Sequence, residues 1–376
     1  MSRRERLGRR EFLAALGGTT AAALFASACR LAGGAAPGAP ASPSAGPPSP
    51  TMPDAVPPSA MPTVTSSPAP ESLIGRVALI RTDDRAEGVR RALDLLGTVD
   101  ALVAGKTVFL KPNFNSADPA PGSTHTDTLR ALVERLWEMG AQRITIGDRS
   151  GMGDTRAVMQ AKGIFALGEE LGFETVVFDE LGADDWVAAD APDSHWRNGF
   201  YLARPCLEAG AVVQTCNLKT HRFGGHFTLS LKNSVGLAAR TVPGHAYNYM
   251  TELHNSPDQR RMIAEVNAAY SPALIVLDGV EAFTRGGPES GTRAPARVVL
   301  ASADRVALDA VGVAVLRDLG TTAEVRRGPV FGQEQIARAV ELGLGVSTPE
   351  AIAIETDDDS RAYAERLRSL LEGPGD

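Results

Sequence analysis

The chain of 376 residues has little cysteine and few aromatic side chains: 3 cysteines, and 5% Phe, Trp and Tyr together. Three cysteines exclude an iron–sulfur cluster held by four cysteines of this chain. No pair of histidines or cysteines has the His-x-x-x-His or Cys-x-x-Cys spacing of a standard zinc site. Cys206 and Cys216 could form a disulfide, but the spacing of two cysteines in a sequence cannot show whether they pair.

An excess of positive charge is also lacking, since the formal net charge is −7. Residues 1–72 contain six arginines and four acidic side chains, so residues 73–376 carry a formal charge of −9. Proteins that bind nucleic acid need a basic face to neutralise phosphates. The charge balance therefore argues against a nucleic-acid partner.

The N-terminus has no run of about 20 strongly apolar residues, which a membrane-spanning helix would need. Five arginines precede the short uncharged stretch Phe12–Ala28, which is the pattern of a signal peptide. The segment Gly8–Leu13 resembles the twin-arginine consensus, which implies export of folded cargo by the twin-arginine translocase. A signal peptide over residues 1–29 is therefore predicted, with an uncleaved anchor helix as the alternative.

Cys29 directly follows Ala26-Ser27-Ala28, a small-residue pattern that fits both signal-peptidase cleavage and a lipobox. Residues 30–72 are rich in Pro, Ala and Ser, a composition typical of a disordered, extended linker. A lipid anchor at Cys29 with a spacer behind it would hold the protein at a membrane. We predict a periplasmic or extracytoplasmic location, with residues 73–376 forming a single α/β domain.

Short apolar runs alternate with amphipathic stretches in this region, which predicts a mostly parallel sheet with helices on both faces. The predicted strands are 76–81, 107–111, 143–147, 174–178, 211–215, 273–277, 297–301 and 351–355. The predicted helices are 85–96, 126–139, 155–171, 258–269, 304–319 and 333–342. Residues 217–255 break this pattern and are interpreted as an excursion over the site, outside the sheet.

Unusual polar residues follow four of the predicted strands, at the edge where open parallel sheets bind their ligands. Lys219, Lys232, His221 and Asp148 are the candidate catalytic residues, the lysines because a buried amine can bind an anion or act as a base. The candidate substrate-binding residues are Lys111, Asn113, Asn233 and Asp278. His221 and His226 are candidate ligands for a metal ion, because imidazole is the usual protein ligand.

The same motifs, in the same order from Val77 to Gly320, resemble the family known as domain of unknown function 362. They are Lys111-Pro112-Asn113, Gly147-Asp148, Asn217–His221, Leu231-Lys232-Asn233 with Gly236, Asp278-Gly279, Gly287-Pro288 with Gly291, and Asp304 with Ala307 and Asp309. The resemblance implies an α/β fold but no particular reaction, because the family has no settled one.

A weaker similarity connects the spacing from Lys219 to Gly236 with the catalytic domain of the nickel-dependent lactate racemase family. That similarity would make His221 and Lys232 the counterparts of residues that hold a nickel-pincer cofactor. The glycine-rich sequence of the racemases is replaced here by Thr228–Leu231.

Together these features favour an exported enzyme that acts on a small anionic molecule, with a metal or a cofactor loaded before export as an option. The alternatives are a tethered solute-binding protein and a scaffold of the cell envelope, neither of which would have catalytic activity.

Overall fold

The computed structural model describes residues 70–97 and 99–373. The predicted signal peptide and most of the predicted linker therefore lie outside the described residues. The last linker residues are described, and Glu71–Leu73 form one turn of 3-10 helix in which Leu73 is buried.

The described strands are β1 (Arg76–Arg81), β2 (Thr107–Lys111), β3 (Arg143–Asp148), β4 (Glu174–Val177), β5 (Trp186–Ala189), β6 (Phe200–Ala203), β7 (Ala211–His221), β8 (His226–Thr228), β9 (Leu274–Gly286), β10 (Gly291–Ser302) and β11 (Ala353–Thr356). The described helices are α1 (Arg85–Leu96), α2 (Thr126–Glu138), α3 (Thr155–Ala161), α4 (Ile164–Leu171), α5 (Arg204–Leu207), α6 (Ser230–Asn233), α7 (Tyr249–Asn255), α8 (Gln259–Val266), α9 (Arg305–Asp318), α10 (Ala323–Arg326), α11 (Glu334–Glu341) and α12 (Arg361–Glu372).

The main sheet has the strand order β11-β1-β10-β9-β7-β2-β3-β4, with β8 added beside β7. Strands β9, β7, β2, β3 and β4 are neighbours and parallel, whereas β10 is antiparallel to both β1 and β9. The prediction of a mostly parallel sheet is therefore confirmed.

Helices cover both faces of this sheet, as the apolar strands predict. Along β1, Ala78 and Ile80 face α1–α4, whereas Val77 and Leu79 face α9, α11 and α12. A third apolar cluster, which includes Phe109 of β2, forms around the two-stranded sheet β5–β6 with α7 and α8. The strands alternate their side chains between two buried layers, which is why their sequences are continuously apolar.

Local signals account for several element ends. Asp84 accepts a hydrogen bond from the Glu87 amide and begins α1 at the predicted residue. The single helix predicted over 155–171 is wrong, because Gly163 takes a φ of 70° and separates α3 from α4. Cys206 and Cys216 are both free and buried, so the disulfide left open by the sequence is not formed.

The interpretation of residues 217–255 as an excursion outside the sheet is also wrong in part. Strand β7 continues through Asn217 to His221, and β8 pairs antiparallel with its end in the register His221 to His226. The strand continues because these polar side chains are buried rather than solvated, a condition that apolar patterning does not reveal. Residues 222–225 therefore form the turn that connects β7 to β8.

None of the helices in the described part of the chain is long and apolar enough to cross a membrane.

Candidate functional site

A cavity of about 490 Å³ lies at the carboxyl ends of β2, β3 and β7. Its walls come from those strand ends, from the segment that contains α6, and from α7. Seven of the predicted functional residues line it, and they are Lys111, Asn113, Asp148, Lys219, His221, Lys232 and Asn233. The parallel strands bring them together because their carboxyl ends share one edge of the sheet.

Lys111 and Asp148 form a buried ion pair in the floor of this cavity, with 2.8 Å between Nζ and Oδ1. The carboxylate also accepts hydrogen bonds from the backbone amides of Phe114 and Arg149, both at 2.7 Å. Burial raises the pKa of Asp148 and lowers the pKa of Lys111, while their mutual attraction opposes both changes. All these bonds go to protein atoms, so Asp148 holds the ends of β2 and β3 together.

Gly236 packs directly on this ion pair. A Cβ atom at residue 236 would lie 2.5 Å from Asp148 Oδ1 and 2.8 Å from Lys111 Nζ. The motif Leu231-Lys232-Asn233-x-x-Gly236 therefore ends in glycine because no larger residue fits against the paired charges.

Gly236→Ala is expected to lower the free energy of unfolding by about 1–3 kcal/mol, because the added methyl group overpacks a site that cannot give way. Gly182→Ala is the matched control, since a Cβ there would lie 3.4 Å from its nearest neighbour, Asp185 Oδ2. Urea denaturation of both variants measures the difference. Equal stability of the two variants would contradict the close packing of Gly236.

Asn113 and Asn233 connect the ion pair to a second lysine. Asn233 Oδ1 accepts hydrogen bonds from Lys111 Nζ at 3.2 Å and from Asn113 Nδ2 at 3.3 Å. Asn113 Oδ1 in turn accepts one from Lys219 Nζ at 3.2 Å. The two predicted substrate-binding asparagines are therefore also the links of a continuous buried network.

Lys219 donates all three of its ammonium hydrogens to protein oxygens. Besides Asn113, its partners are the carbonyl oxygens of Gly122 at 2.5 Å and Pro288 at 3.1 Å. Burial lowers the pKa of Lys219 to about 7. The three acceptors at hydrogen-bond distance match the three hydrogens that the charged ammonium form donates. Lys219 therefore fastens two loops to the sheet edge, and little of its bonding capacity is free for a ligand.

The Gly287-Pro288 motif is explained by the same contacts. Gly287 has a φ of 66°, and a Cβ at this residue would lie 2.0 Å from the Thr220 carbonyl oxygen. Only glycine permits this approach, and it brings the Pro288 carbonyl to the ammonium of Lys219.

Lys232 is different from the other two cavity lysines. It is 9% exposed, and no other described residue forms a hydrogen bond or an ion pair with its ammonium. Burial, followed by the nearby positive charge of Arg149, lowers its pKa to about 8. Lys232 therefore presents to the cavity an ammonium whose charge no carboxylate of the described residues balances.

His221 lies beside Lys232, with both side chains against Gly225. A Cβ at Gly225 would lie 2.8 Å from Lys232 Cε and 2.9 Å from His221 Nδ1. The Nδ1 atom is buried and has no hydrogen-bond partner among the described residues. Burial, together with the charges of Lys232 and Lys219, lowers the pKa of His221 well below its ordinary value. The imidazole is therefore neutral at neutral pH.

His226 does not line the cavity, although it is the cross-strand neighbour of His221. It is half-buried, and its pKa is lowered first by burial and then by Arg260. The described residues contain no group of three or more His, Cys, Asp or Glu side chains that could hold a metal ion. The donor set around His221 therefore does not fit a metal site made of protein ligands alone.

Asp278 lies outside the cavity, one strand further along the sheet. Its Oδ2 accepts hydrogen bonds from Arg85 Nε at 2.9 Å and from Thr128 Oγ1 at 2.7 Å, and Oδ1 accepts one from the Val280 amide. This carboxylate connects β9 to α1 and α2, and the cavity does not include it.

Asp309 belongs to the recognised motifs, but the sequence did not reveal its role in the site. From α9 its carboxylate accepts hydrogen bonds from Ser230 N at 2.8 Å, Ser230 Oγ at 2.6 Å and Leu231 N at 3.0 Å. Burial raises its pKa to about 7. These bonds hold the first turn of α6, and therefore position Lys232 and Asn233, which follow directly.

Arg149 is a second residue that the sequence did not single out for the site. Its guanidinium donates to the carbonyl oxygens of Val235 and Ala238, at 3.0 Å and 2.9 Å. The sequence feature that could have indicated Arg149 is its position directly after Asp148, at the end of a strand. With Arg240, which also lines the cavity, it adds to the positive charge of the three lysines, against the one carboxylate of Asp148.

These features define an α/β protein with a positively charged cavity at the carboxyl edge of its parallel strands. The family model described as "Domain of unknown function (DUF362)" matches residues 108–314. The chain belongs to this family, which confirms the resemblance seen in its motifs.

Two further comparisons concern individual proteins. A thylakoid-associated protein of Synechocystis sp. is 27% identical over 295 residues, which are 75% of this chain and 87% of that protein. The structure of the lactate racemase apoprotein from Thermoanaerobacterium thermosaccharolyticum matches with a TM-score of 0.39 and 17% identity, over 66% of this chain and 59% of that one. At this TM-score we infer nothing about the site from the racemase.

Proposed function

We propose that the protein is an enzyme that binds a small anionic molecule in this cavity and uses His221 to move a proton. The observation that carries the proposal is the unpaired ammonium of Lys232 beside the neutral imidazole of His221. An uncompensated buried charge is costly to maintain, and active sites are where such groups are found.

Lys232 is the anion-binding group in this proposal. A carboxylate or phosphate oxygen would accept a charge-assisted hydrogen bond from the Lys232 ammonium and so provide the partner that the described residues do not. Lys111 and Lys219 are held by their own partners, so they contribute positive potential and a rigid wall. Arg149 and Arg240 add to that potential.

His221 is the proton-transfer group. Its ring is neutral at physiological pH and lines the cavity, so a ring nitrogen can accept a proton from a bound molecule. The positive charge of Lys232 would stabilise the anion that forms when the proton leaves.

A cofactor loaded before export is tested by elemental analysis and native mass spectrometry of protein exported through its own signal. A stoichiometric metal or organic mass would add a reactive group to the cavity. A mass equal to that of the polypeptide alone would mean that the side chains described above transfer the proton without a cofactor.

We also propose that the protein is exported by the twin-arginine translocase and held at the outer face of the cell membrane through Cys29. The arginine pair and the lipobox-like stretch support this location. The relative from Synechocystis sp. is a thylakoid-associated protein by its name.

Lys232→Met is expected to weaken the binding of inorganic phosphate or acetate by about 10- to 100-fold, because one charge-assisted hydrogen bond is lost. Wild-type affinity for acetate, which stays ionised throughout this range, should fall by about tenfold between pH 7 and pH 9, since the pKa of Lys232 is about 8 and only its ammonium form binds an anion. The variant should lose this pH dependence. Isothermal titration calorimetry with each probe anion measures both effects.

The stability of the variant provides a second readout. The folded-state pKa of Lys232, about 8, lies below the ordinary value of 10.5, so the unfolded chain binds more protons between these pH values. Lys232 therefore makes the free energy of unfolding rise with pH in this window, and Lys232→Met should remove that rise. Lys106→Met, outside the cavity lining, is the control. Equal anion affinity in Lys232→Met and wild type would refute the binding role.

Catalysis is distinguished from simple binding by the fate of the bound molecule. The protein is incubated in D₂O with a panel of small carboxylic and phosphoric acids that carry a C–H bond beside the acid or carbonyl group. Deuterium incorporation, or any other chemical change, detected by NMR supports the enzyme. Molecules that bind and are recovered unaltered would identify a tethered solute-binding protein instead.

A further inference from the structure

Large apolar side chains are exposed at three positions of the described residues, and two of them belong to the cavity. Phe223 is 48% exposed and Met152 is 39% exposed, and both line the cavity described above. The third, Ile74, is 41% exposed and lies at the N-terminal end of β1, outside the cavity lining. Exposed apolar surface is therefore concentrated where the cationic cavity opens to solvent.

Phe223 is held in this position by its neighbours. The edge of its ring meets the His221 ring, with 5.8 Å between the centroids, and the Arg222 guanidinium lies 4.4 Å from the Phe223 centroid. Arg222 is itself fixed by a hydrogen bond to the Gly287 carbonyl at 2.8 Å and by an ion pair with Glu289. The aromatic ring is therefore a fixed part of the cavity wall.

The backbone of Met152 is also fixed. Its amide donates to the carbonyl oxygen of Asn115 at 2.8 Å, and Gly151 before it packs against the Asn115 side chain, where a Cβ would lie 2.6 Å from Oδ1. The thioether side chain extends from this anchored turn and adapts easily to apolar surfaces of different shape.

We propose that the substrate is an amphiphile, with an anionic head in the cavity and an apolar chain that lies against Phe223 and Met152. The charge of Lys232 selects the head, and the His221 ring is close both to the Lys232 side chain and to the Phe223 ring. A chain that leaves the head would pass over the ring directly, and it would cover apolar surface that now faces water. This inference rests on the proposed function, because it assigns the head to the same anion site.

The test compares short and long chains on the same head, below the concentration at which the long molecules form micelles. Methyl and octyl phosphate form one pair of probes, and acetate and octanoate form the other. The wild type should bind the long member of at least one pair about tenfold more tightly, since each fully buried methylene contributes roughly 0.8 kcal/mol and the chain here is covered on one side only. Calorimetry measures the affinity for each probe.

Phe223→Ser and Met152→Gln should each lower the advantage of the long chain at least threefold and leave the affinity for the short probe unchanged. Ile74→Ser is the control and should keep the full advantage. If short probes bind and the long chain adds nothing, or if Ile74→Ser removes the advantage equally, this inference is overturned and the proposed anion site stands. If no probe binds the wild type, the proposed function fails as well.

Membrane vesicles that contain phosphatidic acid test whether the anionic head belongs to a single bound amphiphile or to a lipid surface. Binding to vesicles that is lost in Phe223→Ser, together with no gain from octyl phosphate or octanoate, would show that these side chains contact a membrane and would overturn the assignment to a substrate.

Discussion

His221→Asn is expected to slow deuterium exchange into a substrate by 10²- to 10⁴-fold, which is the usual contribution of a positioned acid–base group. The affinity for the anion should change little, because the ammonium of Lys232 is retained. The physical reason is that the neutral imidazole accepts the proton through a ring nitrogen, and an asparagine amide cannot. Exchange rates by NMR and affinities by calorimetry give the two quantities separately.

His226→Asn is the matched control for this prediction. The two histidines are direct cross-strand neighbours on β7 and β8, but only His221 lines the cavity. Asparagine also tolerates the φ of 64° found at His226. A loss of exchange activity in His226→Asn as large as in His221→Asn would show that the hairpin, and not the His221 imidazole, is required.

Asp148→Ala is expected to lower the free energy of unfolding by about 3–5 kcal/mol, because it leaves the Lys111 ammonium buried without its charge partner. It also leaves the backbone amides of Phe114 and Arg149 without their acceptor. Chemical denaturation at neutral pH measures the loss. A change of less than about 1 kcal/mol would contradict the structural role assigned here to Asp148.

The double variant Lys111→Met with Asp148→Ala separates the ion pair from the rest of the network. Removing both charges should recover part of the lost stability, because no isolated ammonium remains in the interior. Glu170→Ala, which breaks the surface pair with Arg130, should change stability little, since exposed ion pairs are screened by water. A double variant less stable than Asp148→Ala would show that the charges are not what couples these residues.

The sequence predicted most of the sheet because the buried strands are continuous apolar runs. Strands β1 and β2 and helix α1 have the predicted bounds, and the polar residues at the ends of β2, β3 and β7 do converge. The strands β5, β6 and β8, of three or four residues each, were not predicted. The end of β7 was missed because its side chains are polar and yet buried.

The candidate site was located by the sequence, but the roles within it were not. Lysines 111, 219 and 232 look alike in the sequence, where each directly follows a leucine. In the fold, the first is paired with Asp148 and the second with two carbonyl oxygens, while the third has no partner among the described residues. Asp278, grouped with them by its place after a strand, belongs to a separate contact with Arg85.

The sequence by itself determined the fold class, the family and the edge of the sheet where the site lies, because those depend on local apolar patterns and on residues close together in the chain. Only the tertiary structure decided which of these lysines has no partner among the described residues. Gly122 and Pro288, which occupy the ammonium of Lys219, are 97 and 69 residues away from it along the chain. The charge and reactivity of a buried side chain depend on such distant partners and on the water they exclude, and neither is encoded in its neighbours in sequence.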